Sequence, residues 1–156
     1  MKPRQSRSDA FSLVEITLAL GVAAVSLLAI FGLLATGSQV NHTAVEQTAS
    51  TDTLLAVAND LRATPSTTGA SLQYGITIPA NPVNSPSSTT IYFDSTGGFS
   101  TSPTSSSRYR VAITFLPTSA GRFATRAALR STWPAAADPA GANTQSVEMF
   151  VALDRN

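Results

Sequence analysis

The sequence predicts an α+β protein in which a long hydrophobic N-terminal helix packs, through its C-terminal half, on a small antiparallel sheet. Two observations predict this fold class. An uncharged apolar run near the N-terminus passes into a helical periodicity that ends near residue 63. Short segments of alternating apolar and polar residues follow, separated by stretches rich in serine, threonine and proline. A helix followed by several strands is typical of an α+β domain.

The composition argues against an enzyme. The 156 residues leave room for one modest domain, only 12% of them are charged, and the net charge is +1. The chain has no cysteine and one histidine, His42, so thiolate chemistry and a histidine-rich metal site are excluded. We therefore expect no catalytic residues, no metal and no cofactor, and we expect His42 to be an exposed or interfacial side chain.

The first element is a candidate membrane-spanning segment. Residues 16–35 form a run of 20 residues without a charge. At about 1.5 Å per residue this run covers the roughly 30 Å hydrocarbon core of a bilayer. Lys2, Arg4 and Arg7 precede it, and basic residues hold their end of such a segment in the cytoplasm. We expect the chain after about residue 37 to lie outside the cytoplasm.

Two ordinary interpretations leave Glu15 unexplained. The segment could be a signal peptide that is cut near Ala35-Thr36-Gly37, or a permanent single-pass anchor. Neither accounts for a carboxylate at the start of the apolar run, where a charge is costly unless it has a partner. Cleavage before Phe11 would create such a partner, because it would leave a new α-amino group four residues from Glu15.

The segment from Ala10 to Leu20 (AFSLVEITLAL) resembles the class III signal of type IV pilins and type II secretion pseudopilins. In that family a prepilin peptidase cuts on the cytoplasmic side, just before the phenylalanine, and methylates the new N-terminus. The resemblance implies cleavage between Ala10 and Phe11, N-methylation of Phe11 and a role in assembly for Glu15. The family usually has glycine where Ala10 stands, so we expect slower processing.

The same resemblance implies a function, a location and partners. The chain would be a structural subunit, a minor pilin or pseudopilin, of a type IV pilus or a type II secretion-like filament. Its partners would be the prepilin peptidase and methyltransferase, other pilin or pseudopilin subunits, an inner-membrane assembly platform and membrane lipid. It would be held in the inner membrane with its N-terminus cytoplasmic and its C-terminal domain periplasmic, and then enter a filament at the cell surface.

The last 35 residues carry a second resemblance. Trp133-Pro134 and the closing Val-Ala-Leu-Asp-Arg are similar to the Verru_Chthon cassette protein B group and to minor pseudopilins. The alternative function is an exported or membrane-anchored binding module, such as an adhesin or a DNA-binding domain, that uses its N-terminus only for export.

These features predict four regions: a leader over 1–10, a transmembrane and assembly helix over 11–37, an amphipathic continuation over 38–63 and a globular β-rich domain over 64–156. Apolar residues in the third region follow the i, i+3, i+4, i+7 spacing of one helical face. We expect a single helix from Phe11 to about Arg62, ended by the following proline. The apolar residues on that face are Leu54, Val57, Ala58 and Leu61.

In the β-rich domain we expect three or four antiparallel strands. The stretches 81–90 and 100–107 consist almost entirely of serine, threonine, proline and asparagine, so we expect exposed loops there. The segment near 123–129 alternates like a strand, although a helix is not excluded. The remaining strand segments are 91–93, 109–115 and 147–153.

Two clusters of polar residues admit a functional interpretation. Asp94, in the turn Asp-Ser-Thr-Gly-Gly, could bind calcium, as some pseudopilins do in a loop, but an Asx turn is favoured because no other carboxylate is near in sequence. Five arginines share one strand face by parity, which would suit DNA. The near-neutral net charge favours a solvated face and argues against nucleic acid as a partner. These arginines are Arg108, Arg110, Arg122, Arg126 and Arg130.

Overall fold

The computed structural model describes residues 12–80, 82–118 and 124–154. In these residues the protein is α+β, with one long N-terminal helix and five antiparallel strands. The chain divides into two compact units, residues 1–44 and residues 45–156. The elements are α1 (Leu13–Ala63), β1 (Ser87–Phe93), β2 (Phe99–Ser100), β3 (Tyr109–Leu116), β4 (Ala124–Trp133) and β5 (Gln145–Asp154).

The end of α1 agrees with the prediction. The helix ends at Ala63, two residues before Pro65, because the residue that precedes a proline disfavours the α conformation. Thr64 donates a hydrogen bond from its Oγ1 to the carbonyl oxygen of Asp60, at 2.7 Å, and so satisfies one of the last carbonyls of the helix. The predicted start at Phe11 lies outside the described residues.

The sheet has five strands where the sequence predicts three or four. Its order is β2-β1-β3-β4-β5, and every neighbouring pair is antiparallel. The additional strand is β2, which pairs Phe99 with Phe93 and Ser100 with Tyr92. Pairing of β4 with both β3 and β5 confirms the predicted strand over residues 124–129 and excludes the helix that the sequence left open there.

The prediction of a loop over the whole of 81–90 is wrong at its C-terminal end. Residues 87–90 belong to β1, where Ser87 pairs with Phe115 and Thr90 pairs with Ala112. The ladder with β3 supplies hydrogen-bond partners that outweigh the loop-like composition, and threonine, being β-branched, suits a strand.

A single hydrophobic core joins residues 45–63 of α1 to one face of the sheet. Leu54 and Val57 are both 0% exposed, as the predicted helical face requires. One buried hydrogen bond links α1 to β4 within this core: Ser50 Oγ donates to Ser131 Oγ at 2.8 Å. The buried apolar side chains are Leu54, Val57, Ala58, Leu61, Tyr74, Ile76, Ile78, Ile91, Phe93, Tyr109, Val111, Ile113, Phe115, Ala127, Leu129, Trp133, Val151 and Leu153.

Asp60 fastens the segment after the helix to α1. Its Oδ1 accepts a hydrogen bond from the Gln73 amide at 2.9 Å and its Oδ2 accepts one from the Tyr74 amide at 3.1 Å. The turn itself closes through Gly75, whose φ of 64° is readily adopted only by glycine. Burial raises the pKa of the Tyr74 phenol, and the nearby negative charge of Asp60 raises that pKa further.

Candidate functional site

The N-terminal part of α1 exposes apolar side chains on all its sides. From Leu13 to Val40 the exposed fraction of each large hydrophobic side chain lies between 47%, at Ile16, and 79%, at Leu13. The most apolar window of α1 has a mean hydropathy of 2.5 and is 0% buried. By length and composition this helix could span a membrane or act as a signal sequence.

Both hydroxyl groups of the apolar run 16–35 are satisfied by the helix itself. Thr17 Oγ1 donates to the Val14 carbonyl oxygen at 2.9 Å, and Ser26 Oγ donates to the Val22 carbonyl oxygen at 2.8 Å. These two residues are the polar interruptions of the run 16–35. Because each hydroxyl is bonded within the helix, neither needs water, and the segment suits a hydrocarbon environment.

Glu15 lies in the first turn of α1. Its amide and the Ile16 amide both donate to the carbonyl oxygen of Ser12, at 3.0 and 3.1 Å. Its carboxylate has no hydrogen-bond or ion-pair partner among residues 12–80, 82–118 and 124–154. Ala19 follows at i+4, so a small side chain adjoins Glu15, and Ala23 continues the same ridge at i+8.

The predicted cleavage and methylation positions, Ala10 and Phe11, lie outside the described residues. Cleavage between them and methylation of Phe11 therefore stay predictions from the sequence.

Asp94 forms the Asx turn that the sequence favours. Its Oδ1 accepts hydrogen bonds from Thr96 Oγ1 at 2.7 Å, from the Thr96 amide at 2.8 Å and from the Gly98 amide at 2.9 Å. The hydrogen bond from the Thr96 side chain, followed by those from the backbone, lowers the pKa of this carboxyl. A Cβ at Gly98 would lie 2.7 Å from Asp94 Oδ2, so a larger residue there would displace the carboxylate that forms the turn.

The side chain of Asp94 therefore stabilises the turn that connects β1 to β2. Among the residues that the structure describes, no group of three or more histidine, aspartate or glutamate side chains could hold a metal ion.

The prediction that the five arginines share one face is wrong for Arg108. This residue precedes β3, and its guanidinium forms an ion pair with Glu46 of α1. Side chains alternate between the two faces of a sheet only within a strand, so counting residues does not place Arg108 on a face. Arg110, Arg126 and Arg130 do lie on the sheet face opposite the core, and Arg122 lies outside the described residues.

This outer face carries a groove that the sequence reasoning missed. Tyr92 of β1 and Phe150 of β5 line it together with Arg110, Arg130 and Glu148. Phe150 is 71% exposed. One feature of the sequence indicates this groove. Phe150 is a large apolar residue at an outward position of β5, where the other outward residues are polar or small.

Comparison with family models, with curated proteins and with solved structures finds no match to this chain.

Proposed function

We propose that this chain is a structural subunit, a minor pilin or pseudopilin, of a type IV pilus or a type II secretion-like filament. The observation that carries the proposal is the order of features along the chain. A basic leader and the motif around Phe11 are followed by Glu15, by an apolar run exposed on all sides, and by a helical face buried on a sheet. A prepilin peptidase would cut between Ala10 and Phe11 and methylate Phe11.

The exposed apolar surface of residues 13–37 would have to be covered both before and after such a subunit is assembled. Burial of apolar surface contributes about 25 cal/mol per Å². Lipid of the inner membrane would cover this surface before assembly, and helices of neighbouring subunits would cover it afterwards. The domain after α1 would then face the periplasm and later form the outer part of the filament.

Glu15 has a specific role in this proposal. Cleavage at Phe11 creates an amine that keeps its positive charge after monomethylation. A neighbouring helix, displaced along the filament axis by one subunit, could bring its Phe11 amine to the carboxylate of Glu15. Loss of one partner of a buried ion pair costs on the order of 3–5 kcal/mol, so a wrong axial register would be unfavourable.

A second candidate function is an exported or membrane-anchored binding module that uses the N-terminus only for export. The groove on the outer face of the sheet supports this candidate, because a concave site with a few polar groups is typical of ligand binding. The two candidates differ in the mature N-terminus, which starts at Phe11 in a pilin and near residue 37 after removal of a signal peptide.

The Glu15→Ala variant tests the assembly role. We expect it to enter the membrane and lose its leader normally, while its amount in sheared filaments falls at least about tenfold, since the carboxylate no longer pairs across subunits. Thr17→Ala is the matched control on the same helix, because the Thr17 hydroxyl bonds only within its own helix. Normal filament levels of Glu15→Ala would show that the pairing does not exist.

A further inference from the structure

The groove on the outer face of the sheet is built by four adjacent strands. It has a volume of about 560 Å³, within the range of small-molecule sites. Three strand spacings separate β1 from β5, so the groove extends about 14 Å across the sheet. All its lining residues lie in the unit 45–156.

The shape of the groove follows from side-chain size. Ala112 and Ala128 lie at its centre, on β3 and β4, and leave its floor low. Tyr92 on β1 and Phe150 on β5 stand at its two sides, and the Phe150 ring is 71% exposed. Aromatic rings on opposite sides of a low floor offer flat apolar surfaces to a ring-shaped ligand.

The polar groups of the groove include donors and an acceptor. Arg110 donates from Nε to Thr132 Oγ1 at 3.2 Å and from one terminal nitrogen to the Ala137 carbonyl oxygen at 2.8 Å. Arg130 lies 3.2 Å from Glu148, measured from Nε to Oε1, and donates to the Pro139 carbonyl oxygen at 3.3 Å.

These contacts use only part of each guanidinium, which has five N–H donors, so each arginine keeps donors for a ligand. Two guanidiniums and one carboxylate leave one net positive charge in the groove. The contacts with Ala137 and Pro139 also hold the loop between β4 and β5 beside the groove.

We infer that this groove binds an acidic oligosaccharide, such as a short uronic acid chain. The net positive charge selects an anion, and the two arginines can bind a carboxylate. The Thr90 hydroxyl and the carboxylate of Glu148 match sugar hydroxyls, which need both donors and acceptors. The apolar faces of sugar rings pack on Tyr92 and Phe150.

An acidic peptide fits this groove less well. The backbone amides and carbonyls of β1, β3 and β4 are used in the ladders between strands. A sheet face therefore offers side chains only, and an extended peptide would leave its own backbone groups without protein partners.

Isothermal titration calorimetry of the full chain in detergent micelles tests the inference. Trigalacturonate is the acidic probe, its methyl ester is the neutral control, and a glutamate tripeptide represents the other class of ligand. We expect a dissociation constant of about 1 mM or lower for trigalacturonate, and at least about tenfold weaker binding of the ester and of the peptide.

Two variants and one matched control locate the site. Phe150→Ala removes an exposed ring and should weaken trigalacturonate binding about fivefold to tenfold without altering the circular dichroism spectrum. Arg110→Ala should weaken binding about tenfold or more. Arg126→Ala should bind as the wild type does, because Arg126 lies on the same face outside the groove and donates to the Pro117 carbonyl oxygen.

Three results would overturn the inference. One is the absence of trigalacturonate binding up to about 10 mM. Another is an equal loss of binding in Arg126→Ala and Arg110→Ala, which would indicate a diffuse charge effect. The third is tighter binding of the peptide than of the sugar. None of these results depends on leader cleavage or on filament assembly.

Discussion

The two halves of α1 have the same backbone geometry and opposite environments. Leu28 is 72% exposed and Leu54 is 0% exposed, although both are leucines of one helix. Leu54 is buried because it belongs to a core with the strands of its own chain. Helical periodicity therefore does not by itself determine burial. In the proposed subunit, lipid and neighbouring helices would cover the first half as the sheet covers the second.

The polar groups of the two halves differ in the same way. In the first half, hydroxyls such as that of Ser26 bond to carbonyl oxygens of their own helix. In the second half, Thr51 and Thr53 bond in the same way. Two buried polar residues there bond to distant parts of the chain, as Ser50 does to Ser131 and Asp60 does to the Gln73 amide. Residues 16–35 can therefore change their surroundings without loss of these hydrogen bonds, whereas the hydrogen bonds of Ser50 and Asp60 hold residues 45–63 to their domain.

The largest effect should come from the matched pair Leu54→Ala and Leu28→Ala. Leu54→Ala leaves a cavity in the core, so we expect the free energy of unfolding of the domain to fall by about 3 kcal/mol. Leu28→Ala should change it by less than about 0.5 kcal/mol, because Leu28 lies outside that core. Denaturant titration in micelles, monitored by Trp133 fluorescence, measures the free energy of unfolding of both variants. Equal losses would contradict the division of the helix.

A smaller effect should follow from Asp60→Ala, which leaves the amides of Gln73 and Tyr74 without their acceptor. We expect a loss of about 2–3 kcal/mol in the free energy of unfolding, since the unsatisfied Tyr74 amide is buried. Asp52→Ala is the control, because Asp52 is exposed on the same helix. If both variants unfold at the same denaturant concentration, Asp60 does not fasten this segment.

The smallest effect concerns the surface turn at Asp94. Because hydrogen bonds lower its pKa in the folded state, its ionised carboxylate stabilises the fold at neutral pH. This contribution is present above the unfolded-state pKa, about 3.9, and is lost as the pH falls through the lower folded-state value. Asp94→Asn should therefore be less stable than the wild type at about pH 6, and the difference should shrink as the pH falls below about 3.9. A difference that does not depend on pH would contradict this account.

The sequence predicted those elements that a pattern within a single stretch of the chain defines. The spacing of Leu54, Val57 and Leu61 predicted the buried helical face, and alternation predicted β3 and most of β5. Features that depend on pairing were missed. The Ser/Thr stretch 87–90 is a strand because β3 pairs with it, and no local pattern showed that pairing.

The candidate sites were predicted poorly where they depend on residues that are distant in sequence. Arg108 was assigned to a strand face by counting, but it lies before β3 and pairs with Glu46, which is distant in sequence. The groove combines residues of four strands, so it required the strand order. The Asx turn of Asp94 was predictable, because all its partners lie within four residues.

The mature N-terminus decides whether the N-terminal helix belongs to a processed filament subunit. Intact-mass and peptide mass spectrometry of the chain from membranes of cells with a prepilin peptidase should find N-methyl-Phe11 as the first residue. In cells without the peptidase the leader should remain. A mature chain that starts near residue 37, or a chain that still carries residues 1–10 in the presence of the peptidase, would contradict the account.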